Sequence, residues 1–288
     1  MRAIVVTYSS GRYLTAFLDS LESASQSPVP VVVSDNGSTD GSLDALEGRP
    51  RLHLLRNGAN LGYGAAANRG AAGASEEWLL VANPDVELSP GSIDALLGAR
   101  HRWPGAGVLG PAVINPDGML YPSARQIPSL GRGAGHAIFG WIWPSNPWTA
   151  AYRRERGEVE EGPCGWLSGS CLLVRREAFE LVGGFDEGFF MYFEDLDLCE
   201  RIGRAGYDVV YVPSVTVRHT GAHSTSGHAT AMAKAHHDSA YRYLARRYHR
   251  PVHAPLRWAL RVGLGARLLL SRVFTGITQG AKPTRRPR

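Results

Sequence analysis

Apolar and polar positions change rhythm along this chain in a repeating way. Ala3–Tyr8, Val29–Ser34, Leu52–Leu55 and Trp78–Ala82 are short apolar runs rich in Val and Leu, the pattern of strands covered on both faces. Between them the period lengthens to that of a helix. Arg12–Ser25 places Leu14, Phe17, Leu18 and Leu21 on one face. Ser42–Glu47, Gly64–Ala74 and Ser89–Arg102 follow as further helices, the last with Pro90 suited to its first turn. Strands alternating with helices predict an α/β fold, a mostly parallel sheet flanked by helices. From Ser123 to Gly162 the rhythm dissolves into Pro, Gly, Trp and charge, which reads as a long loop at a substrate cleft. It returns at Gly165–Arg175, followed by helices at Glu177–Leu181 and Glu194–Ala205 and a strand at Asp208–Val212. Ala229–Tyr248 and Leu256–Phe274 read as two final helices. The expected division is one domain over 1–228 with a helical extension over 229–288.

Charge changes that picture more than bulk composition does. With 44% apolar and 20% charged residues, the 288-residue chain is ordinary for a globular protein. Met1-Arg2 runs straight into a strand, so no secretory leader is expected, and no run approaches the roughly 18 apolar residues of a membrane span. Cys164, Cys171 and Cys199 have neither redox nor zinc spacing and read as reduced structural thiols of the cytoplasm. After Asp238 no acidic residue occurs, while Tyr241 to Arg288 holds twelve basic ones. Against a net charge of +5 overall, the remainder is therefore at −7. An acidic body with a basic tail points to an anionic surface as partner, lipid or nucleic acid.

Three acidic clusters fall where strands end, the edge at which open α/β sheets bind ligands. Asp35, in Ser34-Asp35-Asn36-Gly37-Ser38-Thr39-Asp40, can accept the imide N–H of a pyrimidine base, or simply cap a turn. Asp85, in Asn83-Pro84-Asp85, leaves a buried strand for solvent, where one carboxylate with donor phosphates can hold Mg²⁺ or Mn²⁺. Glu194, Asp195 and Asp197 begin a helix behind the aromatic run Phe189-Phe190-Met191-Tyr192-Phe193. First-turn acids suit any helix dipole, but a hydrophobic wall against carboxylates also poises a base. His219 is a lone His that gains weight only if it meets those groups.

Together, Val5-Val6-Thr7-Tyr8, Ser34 to Asp40, Asn60-Leu61-Gly62-Tyr63-Gly64, Asn83-Pro84-Asp85, Phe185-Asp186-Glu187 with Glu194-Asp195, and Arg218-His219 resemble the inverting family 2 glycosyltransferases of GT-A fold. Within them they are similar to bacterial rhamnosyltransferases, including those of actinobacterial cell-wall linker synthesis. The likeness spans about Ala3 to His219, in order. It implies a nucleotide-sugar-binding half over 1–115 and an acceptor-binding half over 116–228. Thr7, Tyr8, Asp35, Asp40, Asn60, Gly62, Asn68 and Asn83 would bind the donor, with Asp35 on the pyrimidine. Asp85 and His219 would hold Mg²⁺ or Mn²⁺. Asn83 stands where a first carboxylate is usual, which weakens the expected metal affinity. Asp195 would be the general base, and Glu194, Trp166, Ser168 and Gly169 would border the acceptor. The donor favoured is dTDP-rhamnose and the acceptor a polyprenyl-diphosphate-linked sugar, with homo-oligomerisation left open.

Two rivals compete. Gly62-Tyr63-Gly64-Ala65-Ala66-Ala67 matches a dinucleotide-binding signature and suggests an NAD(P)-dependent oxidoreductase, but it sits on the third βα unit and leaves Glu194, Asp195 and Asp197 unused. Arginines interleaved with Tyr241, Tyr243, Tyr248 and Trp258 suit nucleic acid. The mixture of Leu, Val and Trp with Arg257, Arg261, Arg267 and Arg272 suits a lipid interface better, although Arg267 lies off the arc of the other three. Nucleic acid is set aside, and the enzyme is expected in the cytoplasm, peripheral on the inner face of the membrane.

Overall fold

The computed structural model describes residues 1–128, 160–220 and 229–280. The loop expected over 123–162 therefore lies mostly outside the described residues, as do the Arg272 side chain and the basic residues beyond 280. Four strands open the fold, β1 (Arg2–Thr7), β2 (Val31–Asp35), β3 (Leu52–Arg56) and β4 (Trp78–Ala82). Later come β5 (Val86–Leu88), β6 (Ala106–Ile114), β7 (Leu120–Tyr121), β8 (Ala124–Arg125), β9 (Gly162–Pro163), β10 (Trp166–Leu167), β11 (Cys171–Arg175) and β12 (Asp208–His219). The main sheet runs β3-β2-β1-β4-β11-β6-β12-β5, with β7 beside β6, β9 beside β12, and β8 paired with β10 separately. β1 to β4 are mutually parallel, as are β6 and β12, while β11 runs against both its neighbours.

Helices cover both faces, and the alternation within strands shows how. On β1, Ala3 and Val5 face one cluster and Ile4 and Val6 the other; on β4, Leu80 and Ala82 oppose Leu79 and Val81. The first face receives α1 (Arg12–Ala24), whose buried Leu14, Phe17, Leu18 and Leu21 form one stripe, and α3 (Ser92–Gly98). The second receives α2 (Tyr63–Ala71), α4 (Arg176–Leu181) and α5 (Glu194–Arg204). Full burial of each such Leu or Phe stabilises by about 1.5–3 kcal/mol. Two last helices, α6 (Ala229–Arg247) and α7 (Ala254–Gly280), close the chain.

Several boundaries differ from the sequence reading. The helix expected at Ser42–Glu47 is a 3₁₀ turn, Asp44–Leu46. The helix expected from Ser89 begins at Ser92, so Pro90 precedes its left-handed cap Gly91 rather than occupying the first turn. The strand from Asp208 does not end at Val212. It shifts register against β6 between Val212 and Thr216 and continues to His219, which is thus the end of a strand and not of a loop. β6 escaped the pattern because Gly107, Gly110 and Pro111 interrupt its apolar run. Cβ atoms at those two glycines would lie 2.7 Å from Ile202 Cγ2 and 2.9 Å from Leu167 side-chain carbons, so they mark close packing inside a strand.

Candidate active site

Strand direction gathers the acidic clusters. Thr7 pairs with Asp35, Val5 with Ala82, and Ala82 with Cys171 across the ends of β1, β2, β4 and β11. Asn83 N–H donates to the Ser170 carbonyl (3.0 Å), and Val86 pairs with His219 at the end of β12. One edge of the sheet therefore carries Asp35, Asp85, His219 and the Gly169-Ser170 turn.

At one end of that edge the chain builds a turn-rich cradle. The buried Asp35 carboxylate accepts N–H bonds from Gly37 (3.2 Å) and Ser38 (3.0 Å). Two bonds leave lone pairs of a carboxylate open for a further donor. Thr7 Oγ1 bonds Ser10 Oγ at 2.6 Å, beside the half-exposed Tyr8. Asp40 accepts from Gly11 N–H (2.7 Å) and from Ser42; burial raises its carboxyl, but those bonds outweigh it and hold it below its ordinary value. Ser9, at φ 49, is one of four non-glycine residues with positive φ among the described residues. Asn36, given no role of its own by the sequence, is buried and bonds the Gly62 carbonyl (3.1 Å) and Asn57, tying the cradle to α2.

Asn60, Gly62 and Asn68 lie at that same corner, but their groups are taken up within the protein. Asn60 Oδ1 accepts the Gly62 N–H at 3.1 Å. The close backbone approach at Gly62 is to Phe190, whose carbonyl oxygen would sit 2.2 Å from a Cβ there. Asn68 accepts from Phe185 N–H (2.8 Å) and donates to the Phe185 carbonyl (2.9 Å) and Glu187 (3.1 Å). The glycine signature at 62–64 thus docks α2 against the 185–190 segment, which removes the structural ground of the oxidoreductase reading.

In the middle of the edge, His219 Nε2 lies 3.0 Å from Asp85 Oδ1 and 3.4 Å from Asn83 Nδ2. Thr220 fixes the turn through two bonds to the Asp85 carbonyl, both 3.0 Å. A carboxylate oxygen and an imidazole nitrogen side by side make a two-residue donor set for a hard divalent ion, the rest of the shell falling to diphosphate oxygens and water. Among the described residues no group of three or more His, Cys, Asp or Glu side chains could hold a metal unaided.

The third cluster begins α5. Asp195 accepts the Gly169 N–H (2.8 Å) and the Leu196 N–H (2.8 Å), whereas Glu194 is 7% exposed and its Oε2 has no hydrogen-bond partner. Burial, and then the Asp195 charge, push the Glu194 carboxyl up to about 8. Burial raises Asp195 as well, against the pull of those backbone N–H groups and Arg125. Donated N–H bonds settle the negative charge on Asp195 and leave the proton on Glu194. Two residues to which the sequence reading gave no role of their own complete the site. Tyr63 donates to the Gly169 carbonyl at 2.7 Å, and burial, then the charges of Glu194, Asp195, Cys171 and Asp85, hold its phenol well above its ordinary range. The Gly169-Ser170 turn links the two carboxylate clusters, the Ser170 carbonyl accepting the Asn83 N–H and the Gly169 N–H donating to Asp195. Arg125 stacks on Trp166 (5.1 Å) across the β8–β10 pair, beside Ser168, whose Oγ meets Ser170 Oγ at 3.2 Å. Nothing in the sequence around Arg125 signalled it.

The raised Glu194 carboxyl has a consequence for stability. Since its folded value of about 8 lies above the ordinary 4.5, the folded protein binds a proton that the unfolded chain releases, and stability falls as pH rises through that window. Glu194→Gln cannot ionise. Its melting temperature relative to the parent is expected to climb between about pH 5 and about pH 8; an unchanging difference in calorimetry would show Glu194 to be solvated.

A mostly parallel α/β sheet with helices on both faces is the GT-A-like architecture. The chain belongs to glycosyl transferase family 2, whose model matches residues 3–183, and a model of glycosyl transferase family group 2 matches 157–277. It is a glycosyltransferase. It is 55% identical over 276 residues, 92% of this chain and 90% of the other, to the N-acetylglucosaminyl-diphospho-decaprenol L-rhamnosyltransferase of Mycobacterium tuberculosis. The rhamnosyltransferase WbbL of Escherichia coli is 43% identical over 82 residues, 28% of this chain and 31% of the other. In fold it matches the mannosyltransferase PcManGT of Pyrobaculum calidifontis, solved with GDP-Man and Mn²⁺ (TM-score 0.59, 18% identity, 98% of this chain and 75% of that one). It also matches TarS 1–349 of S. aureus (TM-score 0.55, 18% identity, 82% of this chain and 65% of that one).

Proposed function

We propose that this enzyme transfers L-rhamnose from dTDP-rhamnose, with inversion, to a hydroxyl of N-acetylglucosamine carried on a polyprenyl diphosphate. The observation that carries this reading is the 55% identity sustained over 92% of the chain to a relative bearing that name. Asp35 receives the imide N–H of the base, and Thr7, Tyr8, Asp40, Asn60, Gly62, Asn68 and Asn83 surround or shape the donor site. Trp166, Ser168, Gly169 and Glu194 border the acceptor. Asp195 takes the proton of the acceptor hydroxyl as its oxygen bonds the anomeric carbon, and the bond from that carbon to the leaving diphosphate breaks on the opposite face. The Asp85–His219 pair fits a divalent ion, its nitrogen donor favouring Mn²⁺ over the harder Mg²⁺. Such an ion neutralises charge on the departing nucleoside diphosphate. Turnover of a panel of sugar nucleotides on a lipid-linked N-acetylglucosamine, with Mn²⁺ or with chelator, tests this. The expected result is dTDP-rhamnose turnover that chelation abolishes; turnover of a UDP-sugar alone would overturn the rhamnosyl assignment.

A lipid-linked acceptor requires an enzyme at the membrane face, and we place α7 there. No described helix is long and apolar enough to cross a membrane. α7 does expose Trp258 (71%) and Val262 (50%), one turn apart, in a segment without acidic residues. Part of the basic tail serves inside the protein instead: Arg257 donates to the Tyr248 and Arg250 carbonyls, and Arg242, Arg246 and Arg247 pair with Asp186 and Glu200. Co-sedimentation with anionic vesicles is expected for the parent and weakened by Trp258→Ser. Equal binding of the two proteins would remove α7 from the interface.

A further inference from the structure

The segment that carries Glu194 and Asp195 into the cleft is held in a conformation it would not adopt alone. Tyr192 (φ 70) and Phe193 (φ 68) both lie in the left-handed region. For bulky residues each such placement is strained and persists only where the surroundings impose it. Phe193 is also the cap of α5, its carbonyl accepting the Asp197 N–H at 2.9 Å. Relaxation of either residue to ordinary φ would therefore rotate the first turn of α5, where Asp195 projects.

The restraint comes from two sides. Tyr63 N–H donates to the Phe190 carbonyl at 3.0 Å from α2. On the other side one face of α6 does the rest, with His236, Ser239 and Tyr243 spaced three and four residues apart. Buried Ser239 donates its hydroxyl to the Met191 carbonyl at 2.8 Å, on the peptide that leads into Tyr192. The His236 ring stands edge-on to both Tyr192 and Phe193, each at 5.4 Å, and Tyr243 packs on Phe193 at 5.8 Å and closes a small cluster with Phe189 and Leu196. Arg242 and Arg246 anchor the start of the segment through Asp186, with Arg242 lying over the Phe189 ring at 5.4 Å. Its guanidinium fills the place a Cβ at Gly188 would take.

We infer that α6 is part of the catalytic apparatus, with Ser239 and His236 as positioning residues that hold the Met191–Phe193 backbone so that Asp195 meets the acceptor hydroxyl. This rests on Asp195 being the base. Ser239 is more than a core-filling side chain, because its hydroxyl bonds the one carbonyl that precedes the strained pair. A misplacement near 1 Å in a reacting group lowers rate by as much as about 100-fold. Ser239→Ala is therefore expected to lower kcat about 10- to 100-fold with donor KM and nucleotide affinity unchanged, Ser239→Thr to restore it, and His236→Ala to lower kcat in the same direction. Asp195→Asn run in parallel separates the two claims. If it loses rate while Ser239→Ala keeps it, the positioning role is wrong and the base stands. If Asp195→Asn keeps its rate, both fall. A Ser239→Ala protein that loses nucleotide affinity in step with kcat, or that Ser239→Thr does not rescue, would show a general structural role and overturn the inference.

Discussion

Asp195→Asn is expected to lower kcat by about 10²–10⁴-fold while nucleotide affinity stays near that of the parent. The substitution keeps the size of the side chain, and its carbonyl can still accept one of the two N–H bonds from Gly169 and Leu196. What disappears is the carboxylate that receives the acceptor proton. Glu194 stands next in the chain but is a poor substitute, because burial, the larger of the two causes that raise its carboxyl, persists when the Asp195 charge is removed and still opposes its ionisation. Steady-state kinetics with nucleotide-induced thermal shifts as a control decide the matter. A kcat within a few-fold of the parent would place the base elsewhere in the cleft.

Gly62→Ala is the second large effect, and it reports on assembly more than on chemistry. The backbone there has φ 85, and an added Cβ would lie 2.2 Å from the Phe190 carbonyl oxygen. Left-handed strain of about 1–3 kcal/mol and overpacking of a similar size together predict a loss of roughly 2–6 kcal/mol, a large fraction of a domain's stability. The obstacle is backbone, so no side chain can swing aside. Denaturant unfolding should show a lowered midpoint, and activity should fall with it because the displaced segment leads to Asp195. A variant as stable as the parent would mean that the 185–190 segment does not rest on α2.

Much of the architecture was legible along the chain. Apolar runs at 3–8, 29–34, 52–55 and 78–82 became β1 to β4 within a residue or two at most ends, because a strand buried on both faces needs an unbroken apolar sequence. What escaped were elements whose apolar pattern is broken for packing reasons. β6 is interrupted by glycines that let Ile202 and Leu167 approach, and β12 shifts register between Val212 and Thr216 before running on to His219. Long-range contacts define such strands, and no local period reports them.

The chemistry divides along the same line. Order and spacing of the Asp35, Asp85, Glu194-Asp195 and His219 motifs identified the family without coordinates, since residue type at a strand end or helix start is a local property. Only the folded sheet put Asp85 against His219, and Tyr63 on the Gly169 carbonyl beside Asp195. Proton placement between Glu194 and Asp195 was also decided there, because it depends on burial and on which backbone N–H groups arrive from β10–β11. So was the fate of Arg242, Arg246 and Arg247, which count along the chain as part of a basic tail but become ion-pair partners of Asp186 and Glu200 once α6 docks. A sequence states what each residue can do, and the partners that select among those possibilities come from segments tens to hundreds of residues away.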